Sequence, residues 1–288
     1  MQFFRLMRYL LLRNLAAYVR YLIFMRFENA TWPDIPALSD RIFVVPLGSL
    51  EQHGKHLPLF TDSLIIGKVA DRVEELCSDR IVVLPVQWLG HSPHHRRFGC
   101  VSLDLMPYVE MIRGMCRSLV AMGARKILLL NGHGGNDIPC KAALRELKSE
   151  FESLKNLYIA YATYWNLAAA AFTAIRESPS GGMGHACEME TSVMLATHPE
   201  LVDTAKATRG GPSEERGYRT IDMLKSEPYF LIAEFDEFSD TGVIGMPEFA
   251  TAEKGHEFLE AAAQGVVRFL DEFAKWDFQT RPKARPQS

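Results

Sequence analysis

The residues best suited to chemistry lie in a turn-rich loop that follows an apolar run at residues 42–45. This loop, residues 46–62, carries the carboxylates Glu51 and Asp62 and the imidazole of His53 among glycine and proline residues. Such a loop can fold oxygen and nitrogen ligands back onto one divalent cation. It is therefore typical of a metal site, although Glu51 and His53 taken alone could also be a solvated pair of loop residues.

A second segment places His133 among glycines at positions 132, 134 and 135. Glycines at this density indicate a backbone that needs unusual torsion angles or that closely approaches a ligand, and a plain tight turn is the alternative. A third segment, residues 185–192, contains His185, Glu188 and Glu190. These residues could instead begin a helix whose positive end favours the glutamates. The three segments together predict a metallohydrolase.

A histidine cluster at residues 91–95, followed by Arg96 and Arg97, has two readings. It is either a basic lip that contacts the substrate or a polar loop without a role in binding. As a lip, the paired arginines could meet an anionic substrate.

The composition excludes several classes of protein. A net charge of −3, with no basic stripe interleaved with aromatic residues beyond residue 30, argues against nucleic acid as a partner. Five cysteines without a Cys-x-x-Cys pair predict neither a disulfide framework nor a zinc ribbon. We therefore expect a cytoplasmic protein in a reducing compartment.

The first 27 residues form a separate feature, because they contain five arginines and no acidic residue. These arginines fall on one side of a helical wheel, which predicts a basic amphipathic helix whose apolar runs are too short to span a membrane. Three interpretations remain: an interfacial membrane helix, a helix that docks on a partner subunit, or an upstream extension of a chain whose translation starts at Met25.

The rest of the chain alternates strand and helix patterns. Predicted strands at residues 41–47, 81–86, 126–130 and 157–162 enclose predicted helices at residues 63–77, 106–122 and 138–151, and further helices are predicted at residues 167–175, 185–199 and 250–276. This order predicts an α/β fold, a three-layer α/β/α sandwich with a mainly parallel sheet. Ligands of such folds gather at the carboxyl ends of the strands, where the first two motifs lie.

The motifs of this chain resemble those of the creatininase family of metal-dependent amidohydrolases, and the likeness covers residues 32–276. Three motifs carry the likeness: Gly-Ser-x-Glu-Gln-His-Gly-x-His-Leu-Pro with Thr-Asp, Asn-Gly-His-Gly-Gly-Asn, and His-Ala-x-x-x-Glu-Thr-Ser. The resemblance implies a creatininase-like sandwich, two divalent metal ions per subunit (Zn²⁺ or Mn²⁺, with Fe²⁺ as a third candidate) and a homo-oligomer, frequently a hexamer. We expect one hydrolase domain at residues 28–278, between the N-terminal extension and a disordered tail at residues 279–288.

The resemblance also implies site residues. The family's metal ligands carry over to Glu51, His53, Asp62 and His133, with Asp62 as the bridge between the metals. In creatinine amidohydrolase a further glutamate ligand lies two residues past the motif histidine, where this chain has Gly135. Other branches share the Gly-Gly form and take the remaining carboxylate from the Glu-Thr-Ser motif, which gives Glu190 as the fifth ligand.

Helix geometry complicates the choice of Glu190. If residues 185–199 form one helix, Glu188 lies on the face of His185, three residues further on. We keep Glu190 as the ligand. We expect Glu188, Asn131 and Asn136 to contact the ligand side chains without binding the metals themselves.

The predicted reaction follows from the ligand set. Carboxylates and histidines suit two divalent ions that hold a hydroxide between them as the nucleophile. His185 is the predicted general acid for the leaving nitrogen, and Ser92 and Trp165 are predicted substrate contacts. We expect hydrolysis of a C–N bond in a small cyclic amide or formamide, with creatinine as one candidate. Two alternatives are a hydrolase of a cyclic keto-inositol ring and a non-catalytic metal-binding subunit.

Overall fold

The structure is a computed structural model, which describes residues 26–211, 220–225, 229 and 231–277. The predicted N-terminal helix, apart from its last two residues, and the predicted disordered tail lie outside the described residues. Arg26 forms ion pairs with Asp71 and Glu74, and Phe27 packs against Phe43. None of the helices within the described ranges is long and apolar enough to cross a membrane.

Four parallel strands form the central sheet in the order β2-β1-β3-β4. They are β1 (Ile42–Leu47), β2 (Ile81–Val83), β3 (Lys126–Asn131) and β4 (Tyr158–Thr163). Strand β2 is shorter than the predicted segment because Pro85 has no N–H to donate to the ladder. Beyond that proline the N–H of Gln87 donates to the carbonyl of Pro46 at 2.9 Å, so the segment still follows β1.

Side chains of β1 alternate between two hydrophobic cores. Ile42 and Val44 face the first core, whereas Phe43, Val45 and Leu47 face the second. Helices α1 (Thr61–Cys77), α4 (Tyr164–Leu167), α5 (Ala169–Ile175), α6 (Glu188–Thr197) and α7 (Ala252–Lys275) cover the first core, and α2 (Leu105–Ala121) and α3 (Asp137–Glu150) cover the second. The fold is the predicted three-layer sandwich.

His185 lies on a strand, which corrects the prediction of one helix over residues 185–199. Strand β5 (Met183–His185) pairs antiparallel with β6 (Ile244–Gly245), and α6 begins only at Glu188. The partner strand is remote in sequence, so local periodicity gave no sign of it. His185 and Glu188 therefore do not share a helical face.

The turn between β5 and α6 is strained at Ala186. Its φ of +50° makes it the one non-glycine residue with positive φ in the described part of the chain. A left-handed residue other than glycine costs on the order of 1–3 kcal/mol and persists where the surrounding structure demands it. Here it lets the chain leave a strand and enter a helix within three residues.

A buried ion pair fastens α6 to α7. Nζ of Lys254 lies 2.7 Å from Oε1 of Glu188 and 3.0 Å from Oε2 of Glu177. The two carboxylate oxygens of Glu188 also accept the backbone N–H groups of Glu177 and Ser178, each at 2.9 Å. Glu188 therefore anchors the segment that leads into α6.

Replacing Lys254 by methionine should lower the free energy of unfolding by about 3–5 kcal/mol, because the change leaves the buried charge of Glu188 without its cation. Urea denaturation followed by circular dichroism measures the difference. Lys275→Met is the matched control, since Lys275 pairs with Glu272 at an exposed position, where an ion pair contributes about 0–1 kcal/mol. Equal effects of the two changes would contradict the anchoring role.

Candidate metal centre

Two motif loops begin side by side at the carboxyl edge of the sheet. Leu47 at the end of β1 pairs with Asn131 at the end of β3, and the N–H of Gly132 donates to the carbonyl of Leu47 at 2.8 Å. A Cβ at position 132 would lie 2.7 Å from Cβ of Ile66, so glycine is needed for this close approach.

The first group of candidate ligands, set A, comprises the buried residues Glu51, Asp62 and His133. Nδ1 of His133 lies 3.1 Å from Oε1 of Glu51 and 3.0 Å from Oδ2 of Asp62. One cation could therefore contact an atom of each residue.

The second group, set B, comprises the buried residues His53, Asp62 and Glu190. Nε2 of His53 lies 3.0 Å from Oδ1 of Asp62 and 4.0 Å from Oε1 of Glu190. Asp62 thus offers one oxygen to each set, as a bridging carboxylate would. Glu188 takes no part, because its hydrogen bonds to described residues go to Lys254 and to the backbone before α6.

The donors of set A fit a cation. Both carboxylate oxygens of Glu51 are buried, and none of the described residues gives either of them a hydrogen bond of acceptable geometry. Ring nitrogens nevertheless lie close, at 3.1 Å for His133 and 3.3 Å for His95. Leaving a buried carboxylate without partners is costly, and a bound cation would offset that cost.

The pKa values of the site residues also indicate that the site favours added positive charge. Burial alone would lower the pKa of His53, but Asp62 raises it to about 9. Against the same effect of burial, Glu51 and Asp62 hold the pKa of His133 well above its usual range. Burial raises the pKa of Glu190 to about 7. The raised pKa values mean that the site attracts positive charge. A divalent ion would supply that charge in place of the protons, with the imidazoles neutral and the carboxylates ionised.

Hydrogen bonds from outside orient both histidines. Nδ1 of His53 donates to the carbonyl of Glu51 at 3.1 Å, and Nε2 of His133 donates to the carbonyl of His91 at 3.2 Å. Because a carbonyl only accepts, the other nitrogen of each ring faces the sets, and it would present its lone pair to a cation that replaces the second proton of the ring. The hydroxyl of Ser92, fully buried, lies 3.1 Å from Nε2 of His133. This position favours holding His133, and the predicted substrate contact of Ser92 stays a prediction.

Asn131 and Asn136 connect the loops behind the ligands. Nδ2 of Asn131 donates to the carbonyl of His133 at 2.7 Å, and its Oδ1 accepts the N–H of the same residue at 3.2 Å. Asn136 donates to the carbonyl of Gly48 at 3.0 Å and accepts the N–H of His91 at 2.9 Å. The structure therefore brings three loops together through two amide side chains.

A pocket of about 210 Å³ lies over the two sets, and besides candidate ligands it is lined by His185 and Trp165. Nε2 of His185 donates to the carbonyl of Gln52 at 2.7 Å, which leaves the lone pair on Nδ1. This Nδ1 lies 3.9 Å from Oε1 of Glu51. The predicted acid and one predicted substrate contact thus share a pocket with the candidate ligands.

Two residues of the site, His95 and Phe235, were not among the individually predicted site residues, although the cluster that contains His95 had a substrate lip as one of its two readings. His95 is buried, with Nε2 at 3.3 Å from Oε2 of Glu51 and Nδ1 at 3.0 Å from the amide nitrogen of Gln52. The ring of Phe235 lies 4.2 Å from that of His95 and 4.7 Å from that of His185, between centroids. The histidine cluster was a signal for His95, whereas nothing local marked Phe235.

The neighbouring arginines do not line this pocket, which disfavours the first of the two readings, a basic lip. Arg96 and Arg97 are exposed, and each lies 2.7 Å from a carboxylate, of Asp104 and Asp236 respectively. His95, buried behind Glu51, fits neither a lip nor a solvated loop.

Gly135 has no room for a side chain. A Cβ there would lie 2.2 Å from the carbonyl oxygen of His91 and 2.5 Å from Nε2 of His133. The loop that follows β2 fills the space, so this conformation excludes a fifth ligand from position 135.

Comparisons with known proteins agree with these motifs. The Creatininase family model, described as creatinine amidohydrolase, matches residues 28–270. The chain is 27% identical over 259 residues to a creatinine amidohydrolase of Pseudomonas putida, covering 84% of this chain and 94% of the relative. It is 31% identical over 265 residues to a mycofactocin precursor peptide peptidase of Mycobacterium tuberculosis, covering 86% and 90%. A 3-dehydro-scyllo-inosose hydrolase of Thermotoga maritima is 26% identical over 234 residues, covering 76% and 73%.

Solved structures show the same likeness. A crystal structure of creatinine amidohydrolase superposes with a TM-score of 0.72 at 26% identity and covers 88% of this chain and 99% of its own. Two further creatininase structures, each with a TM-score of 0.72 at 26% identity and the same coverage, are described as an Mn form and as a mutant of Zn-Zn type.

Gly135→Ala should lower the affinity for one metal ion by about 10–100-fold, because the added Cβ displaces His133 from set A. Calorimetric titration with Zn²⁺ measures the affinity. The control is Gly134→Ala, since a Cβ at this adjacent position meets nothing within 4 Å. Wild-type affinity in Gly135→Ala would show that His133 is not held as described.

Proposed function

The chain belongs to the creatininase family of hydrolases, and on this premise we propose that it hydrolyses an amide C–N bond with two metal ions held by sets A and B. The observation that carries the proposal is the position of Asp62, whose two oxygens face different sets. Zn²⁺ and Mn²⁺ suit carboxylate and imidazole donors, with Fe²⁺ as a third candidate. The Mn and Zn-Zn forms of related creatininases support this choice.

Metal ions bound by the two sets would supply a Lewis acid for the amide carbonyl and would lower the pKa of water from 15.7 toward about 7. The chain's own residues then move the proton. His185 presents an unprotonated Nδ1 beside Glu51, so it takes a proton from the attacking water and delivers it to the leaving nitrogen. The carbonyl of Gln52 holds the ring in place for both transfers. His185 thus serves as the general acid after acting as a base.

A small cyclic amide or formamide, with creatinine as one candidate, is our first choice of substrate. The pocket of about 210 Å³ is smaller than the roughly 300–1,000 Å³ typical of sites for drug-sized ligands. Trp165 and Phe235 provide aromatic walls that exclude water from the reacting bond.

A peptide amide is the second candidate, because a larger cleft adjoins the pocket. This cleft, of about 840 Å³, shares Gly134, Gly184, His185 and Met223 with the pocket and includes apolar side chains such as Leu231. A peptide could place its scissile bond in the pocket and its flanking residues in the cleft. The peptidase relative from Mycobacterium tuberculosis supports this candidate.

Two other classes stay as alternatives. The inosose hydrolase relative from Thermotoga maritima supports ring hydrolysis of a keto-inositol on the same metals. A non-catalytic metal-binding subunit would be expected to lack His185 or one of the candidate ligands. This chain has His185 and all five candidate ligands. The cytoplasmic location, the homo-oligomeric state and the domain bounds stay predictions.

Metal content tests the ligand assignment. Wild type should bind two divalent ions per chain, Asp62→Ala should bind none because both sets lose a donor, and Glu190→Gln should bind one. Plasma emission spectrometry after dialysis gives the count. Glu200→Gln, a change of the same type on an exposed residue, should keep both ions. Loss of an ion in Glu188→Gln but not in Glu190→Gln would reverse the assignment of the fifth ligand.

Turnover tests the role of His185 and names the substrate. Wild type should release an amine, ammonia or formate from one member of a panel of creatinine, other cyclic amides, formamides and short peptides. On that substrate His185→Ala should keep two metal ions and lower kcat by about 10²–10⁴-fold, the usual contribution of a positioned acid or base. If the metal-loaded wild type cleaves no amide but opens a keto-inositol ring, the proposed reaction is wrong.

A further inference from the structure

His56 belongs to the first motif but is neither a candidate ligand nor part of the pocket. It is almost completely buried, in a tight turn where His53 bridges both Lys55 and Leu57. The carbonyl of His56 accepts the N–H of Asp203 at 2.9 Å, which fixes its backbone. The ring therefore has a defined position three residues beyond the ligand His53.

The side chain of His56 reaches across the molecule to α6. Its Nε2 lies 3.0 Å from Oγ1 of Thr191, a buried residue that directly follows Glu190. The other ring nitrogen, Nδ1, is buried and has no hydrogen-bond partner among the described residues. The backbone of Ala186 also faces this ring.

A buried imidazole nitrogen without a hydrogen bond of good geometry is costly, because burial removes its bonds to water. Among the described residues, the bond from Nε2 to Thr191 is the one side-chain hydrogen bond of this ring.

The bond between His56 and Thr191 differs from the other attachments of α6. Lys254 binds Glu188, and the hydroxyl of Ser192 accepts the N–H of Thr251 at 3.2 Å, so both of these bonds fasten α6 to the α7 side. Within the described ranges, the bond of His56 is the only side-chain hydrogen bond that joins the loop of residues 48–62 to α6. It therefore joins the two segments that form set B.

We propose that His56 is a positioning residue, which through Thr191 sets the position of Glu190 relative to His53 and Asp62 and so completes set B. The inference rests on the proposed two-metal function. It predicts an asymmetry between the two metal positions, because set A draws no residue from α6. Loss of the bond should weaken the metal ion of set B and leave that of set A unchanged.

The experiment compares Zn²⁺ titrations of the wild type, Thr191→Val, Thr191→Ser and Ser192→Ala. Thr191→Val keeps the side-chain shape but removes the hydroxyl, and it should weaken one of two Zn²⁺ sites by about 10–100-fold, the usual effect of an outer contact to a ligand. Thr191→Ser keeps the hydroxyl and should restore both sites. His56→Ala, from the other end of the bond, should weaken the same site as Thr191→Val.

Ser192→Ala is the matched control, because it removes one hydrogen bond from the next residue of the same helix, on the α7 side. It should keep both sites at wild-type affinity. In a Glu190→Gln background, Thr191→Val should have no effect on the remaining Zn²⁺ site, which assigns the weakened site to set B. Thermal melts with EDTA present establish that each variant is folded.

Three results would overturn the proposal. Wild-type affinity at both sites in Thr191→Val shows that the bond does not position Glu190. An equal loss in Ser192→Ala shows that the effect is one of general helix stability. A wild type that binds fewer than two Zn²⁺ ions removes the two-metal function itself, and with it the role of His56.

Discussion

Three carboxylates, those of Glu51, Asp62 and Glu190, are buried together, and their mutual repulsion is the constraint on which the rest of the structure depends. Buried charges of one sign are tolerated only where opposite charge and hydrogen bonds offset the loss of water. The histidines of the site answer that demand in part, since their outer nitrogens are bound to carbonyl groups and their inner nitrogens face the acids. A loop arrangement that kept the acids apart would avoid this repulsion, but the carboxylates could not then bind the same pair of metal ions.

The scaffold resists this repulsion by joining the ligand segments at several independent points. The register of β1 against β3 sets two loops side by side, and Asn136 connects both to the loop after β2. On the opposite side, the pair between Lys254 and Glu188 fixes α6 to α7, a helix that carries no candidate ligand. Sites held by several rigid elements keep their geometry better than sites on one loop, and this suits chemistry that tolerates little displacement.

Much of this architecture could be predicted from sequence, because strand periodicity and the motif loops are local signals. The four-stranded parallel sheet flanked by helices is confirmed, apart from the helix predicted to begin at residue 185, which begins at Glu188. His185 was assigned to a helix because the pairing of β5 with β6 depends on residues remote in sequence. Contacts across the molecule were hidden for the same reason: Phe235 against His95 and His185, and Lys254 against Glu188. The structure brings the five predicted ligands together, while their coordination of metal stays a prediction.

The close packing at Gly135 limits how the ligands of this site could be exchanged. Any side chain there would strike a main-chain oxygen of the loop after β2, which cannot be removed by a single substitution. A glutamate at this position would require that loop to lie elsewhere. Moving a ligand from position 190 to position 135 would therefore take a change in the loop after β2 as well as the exchange of the ligand itself.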